Sequence, residues 1–123
     1  MEISAESVTI NGVEYIKKDD AVQTCPVKDG MKYVIVRTYS AGVFAGFIES
    51  RTGQEVVMRN VRRIWYWDGA ASLSQMAVEG VKKPENCKFS MIVDRQELLQ
   101  AIEILDCSAK AKKSIEGVAI WKQ

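Results

Sequence analysis

Hydrophobic and polar positions alternate through the first stretch, Ser7-Val8-Thr9-Ile10-Asn11-Gly12-Val13-Glu14-Tyr15-Ile16. Asn-Gly between two such arms is a strong hairpin signal, because both residues accept the positive φ of a two-residue turn. Polar Lys17–Asp20 follows, and residues 20–30, which hold Pro26 and Gly30, read as a loop or linker. A detached ribbon is marginal alone, so residues 1–30 are expected to form an arm that pairs with a partner surface or second subunit. Residues 31–123 are then the ligand-binding domain.

In that domain Tyr33-Val34-Ile35-Val36-Arg37 predicts a buried strand. Ser40-Ala41-Gly42 turns the chain, and Val43–Glu49 returns antiparallel. Arg51-Thr52-Gly53 makes a second turn into Glu55–Val61, which runs on to Trp67. The result is a three-stranded meander with a long last strand. Gly42 and Gly46 thin out the middle strand, which marks a bulge or a close approach to the backbone. Ser72 with Gln75 three residues later is a capping-box pattern, so a short helix begins at Leu73, buries Leu73, Met76 and Ala77, and stops at Gly80. Cys87–Val93 reads as a strand. Glu97–Asp106 is ambiguous: Leu98, Leu99 and Ile102 suit a helix, while Ala101–Leu105 alternates like a strand, and strand is preferred for the second half. Ser108 caps a helix over Ala109–Glu116 with Ala111 and Ile115 inward and Gly117 as its stop. Val118–Trp121 is a terminal strand. The fold class is α+β, a mostly antiparallel sheet with two short helices and an N-terminal hairpin arm.

A chain of 123 residues buries one core. The net charge of +1 argues against duplex nucleic acid or an anionic membrane as main partner. The chain has no histidine, which removes the commonest general base and metal ligand together. Cys25, Cys87 and Cys107 are far apart and lack Cys-x-x-Cys spacing, so neither a zinc site nor a disulfide framework is indicated. No leader or membrane span is apparent, and a soluble intracellular protein is expected. Asp68 and Glu79 stand without an activating partner, so no enzyme, metal or cofactor is expected.

The distinctive stretch is Arg62-Arg63-Ile64-Trp65-Tyr66-Trp67-Asp68-Gly69-Ala70-Ala71-Ser72. Read as binding chemistry, Arg62 or Arg63 clamps an oxyanion, and Trp65 and Trp67 share a face that sandwiches a planar base. The amides beyond Gly69, from Ala70, Ala71 and Ser72, then cap a phosphate at the helix start. The turn Tyr39-Ser40-Ala41-Gly42, preceded by Arg37, approaches the same edge. Read as structure, the same alternation is a half-buried strand whose arginine stems lie along the core. Lys110, Lys112 and Lys113 read as a solvated face, and Trp121 as a core or interface plug.

Together, Arg62–Gln75 and the upstream Arg37-Thr38-Tyr39-Ser40-Ala41-Gly42-Val43 resemble a widespread family of small bacteriophage proteins, itself without an assigned activity. The resemblance covers about Met31 to Trp121. That family is in turn similar to the phage anti-CBASS sponge proteins. The resemblance implies a homo-oligomer, dimer or tetramer, that binds a cyclic dinucleotide such as 3′3′-cGAMP without cleaving it, in the cytoplasm of the infected bacterium. Two alternatives stay open: a Thoeris anti-defence sponge for cyclic ADP-ribose signals, and a non-catalytic structural or interaction module. A nucleic-acid-binding accessory protein is a further rival.

Overall fold

Gly46 has no room for a side chain, because a neighbouring strand passes where one would stand. A Cβ there would lie 2.8 Å from Val61 Cα. The structure is a computed structural model that describes residues 25–123. Its strands are β1 (Val27–Lys28), β2 (Met31–Thr38), β3 (Val43–Thr52), β4 (Glu55–Tyr66), β5 (Lys88–Phe89), β6 (Val93–Leu98) and β7 (Ala101–Asp106). The helices are α1 (Leu73–Glu79) and α2 (Ala109–Glu116), with a 3-10 turn at Pro84–Asn86. The expected meander is present as β2, β3 and β4, paired antiparallel.

Two irregularities curl this meander. Opposite Gly46, β4 carries an extra residue, with Asn60 at φ 49, and a second register shift falls between Ile48 and Ser50. Bulges of this kind bend a strand and increase its twist. The curl lets β6 pair with β4 along Val56–Val61 while β7 pairs with β2 along Val34–Thr38. The strand order is therefore β7-β2-β3-β4-β6, and Leu99-Gln100 joins its two ends. Tyr39 N–H donates to the Gln100 carbonyl, and Ala101 N–H donates to that of Gln54.

Both faces of the curled sheet are buried, which explains the unbroken apolar run Tyr33–Val36. Inside lie Val34, Val36, Phe44, Val56, Met58, Val61, Leu98 and Ala101. On the outer face Tyr33, Ile35, Ala45, Phe47 and Ile64 are covered by Met76 and Ala77 of α1 and by Ala111 and Ile115 of α2. Each helix starts as its residues dictate. Ser72 Oγ accepts from Gln75 N–H while Gln75 Oε1 accepts from Ala71 N–H, and Ser108 Oγ accepts from Ala111 N–H. Ser108 Oγ also donates to the Val78 carbonyl at 2.6 Å, tying one helix to the other.

Four expectations need correction. Val27–Lys28 is a strand, joined to β2 by an Asp29-Gly30 turn with both φ values positive, so the linker reading fails there. The hairpin at residues 7–16 lies outside the described residues. Cys87–Val93 is not one strand: β5 pairs with the end of β4, and the chain then crosses to place β6 beside its beginning. Leu98, Leu99 and Ile102 do not line a helix, because β6 and β7 each find a partner strand and only Leu98 of the three is buried. Val118–Trp121 shortens to one parallel bridge, Phe89 to Ile120, with Trp121 N–H donating to the Phe89 carbonyl.

Candidate functional site

Alternation along β4 puts consecutive arginines on opposite faces of the sheet. Arg63 stands opposite Phe44 in the register, at the open end of the curled sheet, with its Cζ 4.8 Å from the Phe44 ring centroid. The guanidinium lies over the ring as a cation–π contact, and the residue is exposed. No carboxylate among the described residues forms an ion pair with it.

Arg63 lines two adjoining hollows. One, of about 330 Å³, also takes in Ser40, Ala41, Gly42 and Trp65. The other, of about 430 Å³, takes in Ser90, Met91, Gln96, Trp121 and Lys122. A third, of about 550 Å³, continues from Ser40 and Gln96 along Leu98–Gln100. The turn that presents Ser40 and Gly42 is held by Thr38, whose Oγ1 donates to the Gly42 carbonyl and accepts from Ala41 N–H.

Two tryptophans form the wall beside Arg63. Trp65 is 62% exposed and Trp121 43% exposed, and their ring centroids are 5.4 Å apart with planes tilted by 37°. Lys88 Nζ lies 5.7 Å from the Trp65 centroid and 5.4 Å from that of Trp121. An ammonium over two indole faces is attracted by their quadrupoles and remains able to reach an anion.

Of the residues expected to bind, Ser40, Gly42, Arg63 and Trp65 meet on this surface. The others do not. Arg62 is 2% exposed and donates to the carbonyls of Ser90, Ile115, Val118 and Phe89. Its burial lowers its pKa, since desolvation disfavours the charged form. Trp67 does not share a face with Trp65, because β4 ends at Tyr66. It packs against the helix-side core with Nε1 donating to the Ala70 carbonyl. Gly69, Ala70, Ala71 and Ser72 line none of these hollows. The Gly69 carbonyl accepts from Lys82 N–H, and the Ala71 amide is already taken by Gln75. Arg37 pairs with Glu103 at 3.0 Å on the sheet surface, and Tyr39 projects into solvent.

Trp121 was expected as a core or interface plug, and its exposure excludes the core alternative. Lys88, Ser90, Gln96 and Lys122 were not singled out at all, since they reach this surface from β5, from the chain just after it, from β6 beyond the crossing and from the C-terminal segment. A third tryptophan was the one available signal, and nothing local pairs it with Trp65.

Burial raises the pKa of all three thiols. Cys107 is buried and pushed up to about 12, chiefly by desolvation. Desolvation likewise raises Cys25, which donates to the Tyr33 carbonyl, and Cys87, which sits against Asp68. Among the described residues no group of three or more His, Cys, Asp or Glu is placed to hold a metal. No described helix is long and apolar enough to cross a membrane.

No curated protein and no solved structure matches this chain. A family model described as a domain of unknown function matches residues 31–115, which takes in Ser40, Gly42, Arg63 and Trp65 and stops short of Trp121, and the chain therefore belongs to the DUF6948 family.

Proposed function

We propose that this chain is a non-catalytic nucleotide-binding protein that sequesters a cyclic dinucleotide of the 3′3′-cGAMP type. In this reading it acts as a phage-encoded sponge in the bacterial cytoplasm and blocks CBASS signalling. The observation that carries the reading is the position of Arg63, an exposed residue that lines two hollows, one beside Trp65 and the other beside Trp121. A guanidinium offers paired donors to a phosphodiester, and an exposed indole offers a stacking face for a base. The groups lining these two hollows are hydroxyls, amides, apolar side chains and cations. No carboxylate, histidine or thiol among the described residues lines either hollow, and those are the usual proton-transfer and nucleophilic groups, which supports binding without cleavage.

Sequestration sets an energetic demand. A dissociation constant near 1 nM corresponds to about −12 kcal/mol. One stacked base contributes roughly 1–3 kcal/mol and one hydrogen bond to a charged group roughly 1.5–3 kcal/mol. The open face of a single chain supplies a fraction of this, so the proposal includes a homo-oligomer whose neighbouring copy covers the ligand.

The test is thermal shift and calorimetry of the purified protein with 3′3′-cGAMP, cyclic di-AMP and cyclic ADP-ribose, followed by chromatography of the ligand released on denaturation. Tight binding of a cyclic dinucleotide recovered intact is the expected result. Preference for cyclic ADP-ribose assigns the alternative signal, and a cleaved product would refute the sponge. A second reading, an assembly module, draws on Met91, Ile92, Val93 and Ile120, which are exposed close to the tryptophans. It is favoured if no nucleotide shifts the melt while Met91→Asp or Ile92→Asp dissociates an oligomer.

A further inference from the structure

Arg62 is a buried cation with no carboxylate partner among the described residues. Desolvating such a group is costly unless its donors are satisfied. Here they are satisfied by carbonyls from two segments: Phe89 and Ser90 at the exit of β5, and Ile115 and Val118 where α2 gives way to the C-terminal segment. Those segments otherwise meet through the Phe89–Ile120 bridge and the bond from Trp121 N–H to the Phe89 carbonyl at 2.9 Å. They also form opposing walls of the 430 Å³ hollow, Ser90 and Met91 on one and Trp121 and Lys122 on the other. One arginine ties the walls together while its neighbour, Arg63, faces the space between them.

We propose that the C-terminal segment Val118–Lys122 is half of the ligand site. Trp121 stacks on a planar ring of the ligand, Lys122 meets its phosphate, and Arg62 is the positioning residue that holds both. This inference rests on the nucleotide-binding reading and deepens it. The indole geometry defines how a ring is accommodated. A ring held between two indoles needs them about 7 Å apart, twice an ordinary stacking separation. At 5.4 Å and a tilt of 37°, Trp65 and Trp121 touch each other and leave no such gap, so the pair offers a platform only on its outward faces. The base therefore lies on a face of the pair that Lys88 does not cover, with its phosphate toward Arg63 and Lys122, which line the same hollow as Trp121. Without Trp121 the platform loses the indole that lines the larger of Arg63's two hollows.

The experiment measures affinity for 3′3′-cGAMP and for cyclic ADP-ribose by calorimetry, using the full chain and its Trp121→Ala, Trp121→Phe and Arg62→Lys variants. Circular dichroism follows the couplet expected of two indoles in contact. Trp121→Ala should fold, lose the couplet and weaken binding by roughly tenfold or more, while Trp121→Phe restores most of the affinity. Arg62→Lys keeps the charge but loses the planar fork, so a folded variant should lose part of the couplet and of the affinity together. Unchanged affinity in Trp121→Ala overturns the inference and leaves the nucleotide reading standing. An unaltered chain that binds neither probe overturns both. If Arg62→Lys folds with couplet and affinity intact, Arg62 does not position the segment. If it fails to fold, the two Trp121 variants decide the question.

Discussion

Trp65, at the end of β4, and Trp121, in the C-terminal segment, touch each other at 5.4 Å between ring centroids while both remain substantially exposed. Aromatic pairs in a core are shielded by aliphatic neighbours. This pair has Lys88 over it and a hollow on either side. Its position beside Arg63 and the two hollows sets it apart from an ordinary strand end.

Trp65→Ala and Arg63→Ala should each reduce nucleotide affinity by roughly tenfold or more and leave the melting temperature nearly unchanged, since both side chains are exposed. Calorimetry and thermal melts of the same preparations check this. Unfolding of either variant would assign that residue to the core.

Arg62→Leu should behave in the opposite way. It removes the guanidinium from four carbonyl groups between α2 and β5; those of Phe89 and Ile115 keep a backbone N–H donor while those of Ser90 and Val118 lose theirs, at a cost of roughly 2–6 kcal/mol. Urea unfolding followed by tryptophan fluorescence measures the loss. A midpoint equal to that of the unaltered chain would contradict the assignment.

Gly46→Ala and Gly80→Ala should destabilise by roughly 1–3 kcal/mol each through overpacking. The added methyl at residue 46 meets the Val61 backbone, and at residue 80 it meets Ser114. Gly53 also has a positive φ, but nothing crowds it, so Gly53→Asn should cost much less. Comparing the three by chemical denaturation separates steric crowding from backbone preference.

Alkaline pH should weaken the fold. Cys107 is pushed up to about 12 from an ordinary value of 9.0, and burial raises Cys25, Cys87 and Tyr33 in the same direction. The folded state therefore holds protons that the unfolded chain releases. Their contribution is complete below about pH 9 and is lost as pH rises toward 12. Urea midpoints should fall across that window, and Cys107→Ala should flatten the fall. A flat profile in the unaltered chain would refute the assignment.

Much of the fold was legible in local signals. Ser72 with Gln75, and Ser108 before Ala109, announce helix starts because short polar side chains satisfy free amides wherever they occur. Gly46 announced a close approach, and the close approach is there. The ambiguity at Glu97–Asp106 was real, since short apolar runs suit either period, and only pairing with β4 and β2 made both halves strands. At the site, the arginines were visible but their faces were not. Trp67 left the face of Trp65 because the strand stops at Tyr66, and period-two reasoning holds only while a strand lasts.

The chain by itself determined what is encoded over a few residues: the meander, the capped helices, the turn at Gly42 and the residue types available for binding. The tertiary structure decided which of those residues share a surface. Contacts such as Trp65 with Trp121, and Arg62 with Val118, join positions far apart in the chain, and no local periodicity specifies them. They exist because a bulged sheet curls, the crossing after β5 comes back beside β4, and a buried guanidinium needs carbonyls from two segments at once.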